Sequence, residues 1–331
     1  MTKKYNNVYI EDVYTIAGPY EAKGPLSKYI DKLYTDDLYF GQSSFEKAES
    51  KLLNDSVSLL LDKTNKKDSD IELLIAGDLQ NQIAASNYMA RDKNMAFLGI
   101  FNACATCSEA LIIGSTFIDS KKYNNCLCSV SSHNNTAEKQ FRNPIEYGAL
   151  KPKTATFTVT GACSILLSNK KSKIKIESST LGKVYDMGIK DANNMGAVMA
   201  IAAAETIYKH LNDLDRSVDY YDMILTGDLG KYGKNILIDY MKSSYHIDLS
   251  KNYNDCGTMI YDLEKQDVYA GGSGPACSAI VSFGYIYKEM LKGKLKKVLI
   301  VPTGAIFSPT FVFQKESIPS IAHAVSLEVV L

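Results

Sequence analysis

The sequence predicts an α/β fold built twice over, two similar halves of mixed sheet and helix with a pair of buried helices between them. Three observations predict it. IELLIAGDLQ (71–80) and DMILTGDLGK (222–231) each end a short apolar run in Gly-Asp-Leu, as a buried strand running into a turn does. Cys107-Ser108 and Cys277-Ser278 each open a helical run, reaching Gly114 and Gly284 at a constant offset of 170 residues. The order of apolar periodicities on either side of these pairs is the same in both halves.

In the first half, NVYIEDVYTIAG (7–18) reads as a strand, and SSFEKAESKLLNDSVSLLLDK (43–63) as a helix. Phe45, Ala48, Leu52, Leu59 and Leu60 share one helical face, and Ser43 with Glu46 three later is a capping-box start. A strand ending at Gly77, the Cys-Ser helix and a strand NNCLCSV (124–130) follow. The second half repeats the series: SKIKIESSTLGK (172–183), an Ala-rich helix over 193–211, the strand before Gly227, a helix opening near Pro275, and KKVLIVP (296–302). The lysine-rich turn SNKKSK sets the boundary, giving halves 1–170 and 171–331.

Composition narrows the function. Hydrophobic residues are 46% and charged residues 22% of 331, ordinary for a globular chain. Lys+Arg and Asp+Glu both number 37, so there is no basic footprint for nucleic acid. No apolar run is long enough for a membrane span, and MTKKYNNVYI lacks the apolar stretch of a signal peptide. Seven cysteines, an odd number without a secretion signal, read as reduced thiols of a cytosol-like compartment.

FNACATCSEALIIG (101–114) carries the chemistry to be explained. A cysteine at a helix N-terminus sits among free N–H groups that favour thiolate, and Cys104 fits that place. Condensing chemistry also needs proton-handling partners and an oxyanion site. The chain has four histidines only, His133, His210, His246 and His323. No metal site is expected, because Cys126 and Cys128 are taken to face opposite sides of a strand. Cys107, Cys163 and Cys277 read as small buried packing residues. Among other candidates, Arg142 offers a fork for a carboxylate or for Glu138 one turn earlier. Asn193 and Asn194 precede a helix as ligands or caps. The glycines of AGGSGPACS (270–278) precede a helix whose N–H groups can hold an anion. Asp78 and Asp228 read as capping or turn residues.

The Cys104 segment resembles the nucleophile turn of thiolases and ketoacyl synthases. Four longer stretches are similar to the stage V sporulation protein AD family: VSSHNNTAEKQFRNPIEYGALKPKTATFTVTGA (130–162), DMGIKDANNMGA (186–197), NDCGTMIYDLEKQDVYAGGSGPACSA (254–279) and ESIPSIAHAV (316–325). The resemblance implies a thiolase-like fold, two mixed sheets around central helices in α-β-α-β-α layers, pairing as a homodimer through a strand. It implies binding, not catalysis: dipicolinic acid (pyridine-2,6-dicarboxylate), alone or as its calcium chelate, taken up in sporulation and released in germination. The chain would lie peripherally on the cytoplasmic face of the forespore or spore inner membrane, with membrane-embedded subunits of the same assembly as partners. Where condensing enzymes carry histidines, this chain has Asn254-Asp255-Cys256-Gly257 and Gly271-Gly272-Ser273-Gly274, so the usual machinery looks dismantled. The expected ligand site is Cys104, Ser132, His133, Arg142, Asn193, Asn194, Asp255, Gly272, Ser273 and Gly274. Backbone N–H groups at Cys104 and Gly272–Gly274 would take one carboxylate, and Ser132 or His133 the other. No cofactor and no protein-held metal is expected; calcium would come with the ligand or not at all. The alternative is a condensing enzyme acting on acyl thioesters through Cys104.

Overall fold

The computed structural model describes residues 1–330. The first half runs β1 (Tyr9–Ala17), α1 (Phe45–Lys63), β2 (Leu74–Gly77), α2 (Ala84–Arg91), β3 (Phe97–Gly99), α3 (Thr106–Asp119), β4 (Asn125–Ser132), α4 (Asn134–Phe141) and β5 (Gly161–Ser168). The second runs β6 (Ile174–Thr180), α5 (Met195–Asp213), β7 (Met223–Thr226), α6 (Gly230–Tyr245), β8 (Tyr253–Asp255), α7 (Pro275–Ile280), a π-helical turn Val281–Ile286, α8 (Tyr287–Leu291), β9 (Lys297–Val301) and β10 (Ala324–Val329).

The strands lie in the order β3-β2-β4-β5-β1 in the first half and β8-β7-β9-β10-β6 in the second. Counted within its own half, each order is 3-2-4-5-1, with the first three neighbours parallel and the last two pairings antiparallel. The two mixed sheets meet edge to edge. Tyr9 pairs with Lys175 and Ile10 with Ile174, and these two pairs join them into one continuous sheet.

Layering follows from the apolar faces. The buried Leu52, Leu53, Val57 and Leu60 of α1 close over Ile16, Leu74, Leu127 and Leu166 of the first sheet. Val198, Ala202 and Ile207 of α5, with Leu237 and Met241 of α6, do the same over Ile224, Leu299 and Ala324 of the second. The inner faces of both sheets share one core with α3 and α7: Val13, Ile75 and Ile165 from one side, Leu225, Val298 and Leu327 from the other, Leu111 and Ile280 between. Pro275 begins α7 at a first-turn position, where its missing N–H costs nothing.

Two local expectations are corrected. The cap of α1 is Ser44, whose side chain accepts from the Lys47 N–H at 3.3 Å, so the capping box centred on Ser43 does not form. Cys126 and Cys128 share a face of β4, because residues two apart on a strand always do. A Cβ built on Gly114 of α3 would meet Cys128 Sγ at 3.2 Å and Cys126 Cβ at 3.3 Å. Both cysteines are thus packing residues beneath the central helix. No helix among the described residues is long and apolar enough to cross a membrane.

Candidate functional site

Cys104 stands on a one-turn 3-10 segment, Ala103–Ala105, between β3 and α3. The turn is held in an uncommon geometry. Ala103 has φ +47°, in the left-handed region that side chains disfavour. The Thr106 hydroxyl fixes it from below, donating to the Ala103 carbonyl at 2.6 Å and accepting from the Asn102 N–H at 3.0 Å. Cys104 borders a narrow inner chamber of about 50 Å³.

Asp228, two residues past the end of β7, forms the facing wall. Its Oδ1 accepts from the Thr303 hydroxyl at 2.6 Å and its Oδ2 from the Gly274 N–H at 3.2 Å. Burial raises the Asp228 carboxyl to about 7, the donors from Thr303 and Cys104 only partly offsetting it. The same burial, then the facing Asp228 charge, drives the Cys104 thiol well above its ordinary range. The enclosed carboxyl thus reverses the expectation of a thiolate at the helix N-terminus. Gly274 has φ +95°, and a Cβ there would approach Ser132 Oγ to 2.8 Å, so only glycine brings this N–H to Asp228.

Phe141, Arg142 and Phe307 line both this chamber and a neighbouring cavity of about 470 Å³. Tyr20 and Phe157 stack on its wall, ring centroids 4.8 Å apart and nearly parallel at 19°. Charge sits deep on another wall. Glu138 accepts from Arg142 at 2.8 Å and from Lys151 at 2.9 Å, so two cations share one buried carboxylate. Asn193 borders the same cavity, and exposed Asp267 marks its rim.

The structure brings Cys104, Arg142, Asn193, Ser273 and, through its N–H, Gly274 to this two-chambered space. It does not bring the others. His133 is wholly buried as the cap of α4: Nδ1 accepts from the Asn135 N–H at 3.2 Å and Nε2 pairs with the Leu38 carbonyl at 2.9 Å. Burial lowers its pKa to about 4, so the ring is neutral and its one N–H is spent on the Leu38 carbonyl, with none left for a carboxylate. The Ser132 hydroxyl is spent on the Val159 carbonyl at 2.7 Å. Asp255 accepts the Leu229 and Gly230 N–H groups, each at 2.9 Å, where α6 begins. Gly272 is enclosed by Ile260, Tyr261 and Cys277 and pairs with Phe157. Asn194 precedes α5 without a side-chain cap bond and lies outside both cavities. Among residues not anticipated, Thr156, Phe157, Tyr20 and Phe307 line the site, and Asp228 is its wall as well as a turn residue. Only Asp228 left a trace in the sequence, through the repeated Gly-Asp-Leu. Its counterpart Asp78 does cap a turn, accepting from Gln80 N–H and from Ser86 N–H, each at 2.8 Å. Among the described residues, no histidine lines either cavity.

Comparison with known proteins agrees with this architecture. The chain is similar to a solved variant of OleA from Xanthomonas campestris bound with cerulenin, with TM-score 0.63, 14% identity and coverage of 98% of this chain and 97% of that one. It is similar also to 3-oxoacyl-[acyl-carrier-protein] synthase III from Aquifex aeolicus VF5, with TM-score 0.52, 15% identity and coverage of 99% and 100%. At such identity the likeness shows a thiolase-like fold alone. In sequence, the chain is 46% identical over 321 residues to stage V sporulation protein AD of Bacillus subtilis (strain 168), covering 97% of this chain and 94% of that relative. The family model for stage V sporulation protein AD matches residues 2–328. A match of that length, carried by a duplicated thiolase-like fold without histidine at its cysteine site, places the chain in the stage V sporulation protein AD family.

Proposed function

We propose that this chain binds dipicolinate without transforming it, as the non-spanning component of a spore membrane assembly that moves this acid in sporulation and germination. The observation that carries the reading is the outer cavity. Its volume falls within the roughly 300–1,000 Å³ of small-molecule sites. Its walls pair flat aromatic surface, Tyr20 and Phe157, with the deep cations Arg142 and Lys151. A planar ring bearing two carboxylates matches both: the ring stacks, and the charge meets donors that burial has left short of counter-charge. The ring sits in the outer cavity, farther out than the mouth of the Cys104 turn, because the inner chamber holds a carboxyl group and little more.

Binding is favoured over condensation by the state of Cys104. A thiol raised by burial and by a facing carboxyl is a poor nucleophile, and no imidazole stands by to take its proton. The chain works at the cytoplasmic face of the spore inner membrane, and two copies pair through the free edge of β3.

Calorimetric titration with dipicolinate, with and without calcium, tests the reading. Saturable binding at one site per chain is the expected result; no heat at millimolar ligand in either condition overturns it. Incubation with acetyl- and acetoacetyl-CoA, read by intact mass and free CoA, is expected to show no turnover.

A further inference from the structure

Two buried polar atoms border the inner chamber and have no protein partner. Thr156 is 1% exposed, and its hydroxyl makes no hydrogen bond. Arg142 spends one terminal nitrogen on Glu138 at 2.8 Å, while its Nε is enclosed and unpaired. Arg142 lines both spaces, so it stands at the boundary between them. The backbone under Thr156 is fixed: it bridges to Tyr269, and the next two residues pair in parallel with Gly272 and Ser273.

Unpaired buried groups of this kind are costly, and proteins retain few of them. Arg142 Nε can only donate, and the Thr156 hydroxyl can donate or accept. A carboxylate offers an acceptor to each and a negative charge to the guanidinium; an amide can meet the same two atoms but brings no charge. The chamber has room for such a group and not for a ring. On the opposite wall, the Asp228 carboxyl is turned to Thr303, Gly274 and Cys104, which leaves Arg142 and Thr156 as the free donors.

We propose that Arg142 Nε and Thr156 Oγ1 together hold one carboxylate of the ligand at the boundary of the two chambers, and that the guanidinium charge makes the site select an acid over its amide. The proposal rests on the binding reading above and adds which atoms anchor the ligand. The second carboxylate then remains in the outer cavity, where Lys151 and Asn193 line the wall.

Titration with two probes tests it, dipicolinate and the uncharged pyridine-2,6-dicarboxamide, on the full chain. The wild type prefers the acid by roughly tenfold or more. Thr156→Val, nearly the same shape, loses roughly tenfold for the acid, while Thr156→Ser keeps wild-type affinity. Arg142→Lys retains the charge and loses roughly ten- to hundredfold. Because one carboxylate meets both groups, the double variant loses less than the two single losses combined. Thermal melting of the free variants checks that each is folded. If the wild type binds dipicolinate and Thr156→Val binds it equally well, or if the two losses simply add, the anchor is wrong and the binding reading stands. A wild type that binds neither probe overturns both.

Discussion

Asp228 is a carboxyl that folding makes harder to ionise. Its pKa rises from about 3.9 in an unfolded chain to about 7 here, burial being the main cause. A raised acid contributes stability that is fully present below the unfolded value and is lost as pH climbs through the folded one. Between about pH 4 and pH 7, ionisation of Asp228 therefore works against the fold, on the order of a few kcal/mol in all. Asp228→Asn removes this term. The stability of the variant relative to the wild type is expected to rise between pH 4 and pH 7 and to stay raised at pH 8. The difference between the two proteins is the quantity to read, since Glu21 near 7 and Glu49 near 8 titrate in an overlapping range. A difference that does not rise with pH counts against the argument. Cys104, raised by the same enclosure, is expected to react with iodoacetamide at pH 8 more slowly than a free thiol, by mass spectrometry of the labelled peptide. At this scale the sequence is half legible. Arg142 and Cys104 are marked by their motifs. His133 is not, because its ring is used by the carbonyl of Leu38, 95 residues away, and no local pattern marks such a bond. The walls Tyr20, Thr156 and Phe307 come from three separate segments that only the fold brings together.

Elements are the most readable level, because strand and helix periodicities are local. The strand before Gly77 and the Pro275 helix start follow from spacing, and the first long helix follows from its apolar face, its cap lying one residue beyond the expected Ser43. How closely elements approach is not readable. Helices α5 and α6 touch backbone to backbone where Gly196 meets Gly233. A Cβ on Gly196 would stand 2.2 Å from the Leu229 carbonyl oxygen, and one on Gly233 would stand 2.5 Å from the Gly196 carbonyl oxygen. Alanine ordinarily favours a helix over glycine by about 1 kcal/mol. Here the clash is with backbone that cannot swing aside, so overpacking outweighs propensity. Gly196→Ala is expected to destabilise by about 1–3 kcal/mol in denaturant unfolding; an unchanged or raised midpoint would show that the helices separate freely.

Across the whole molecule, the continuous sheet ends at β8 on one side and at β3 on the other. β3 pairs with β2 alone, and Leu98 there is 37% exposed, with Phe101 just beyond at 47%. An open, apolar edge invites pairing, and a second copy placed about a two-fold axis satisfies it with the same strand. Light scattering at micromolar concentration is expected to give twice the chain mass for the wild type. Leu98→Lys is expected to give the single mass with unchanged circular dichroism; a variant that stays double places the contact elsewhere. Strand order, too, is beyond local reading, since the repeat tells how many units to expect and not how their edges join. That order has a consequence for the making of the protein. β1, with Val13, Ile16 and Ala17 destined for full burial, pairs along most of its length with β5. The ribosome reaches the end of β5 about 150 residues after it has finished β1. At 5–20 residues per second, the nascent strand waits roughly 8–30 s for its neighbour, a window in which a holding chaperone, or slower growth in the cold, decides how much chain reaches its native state.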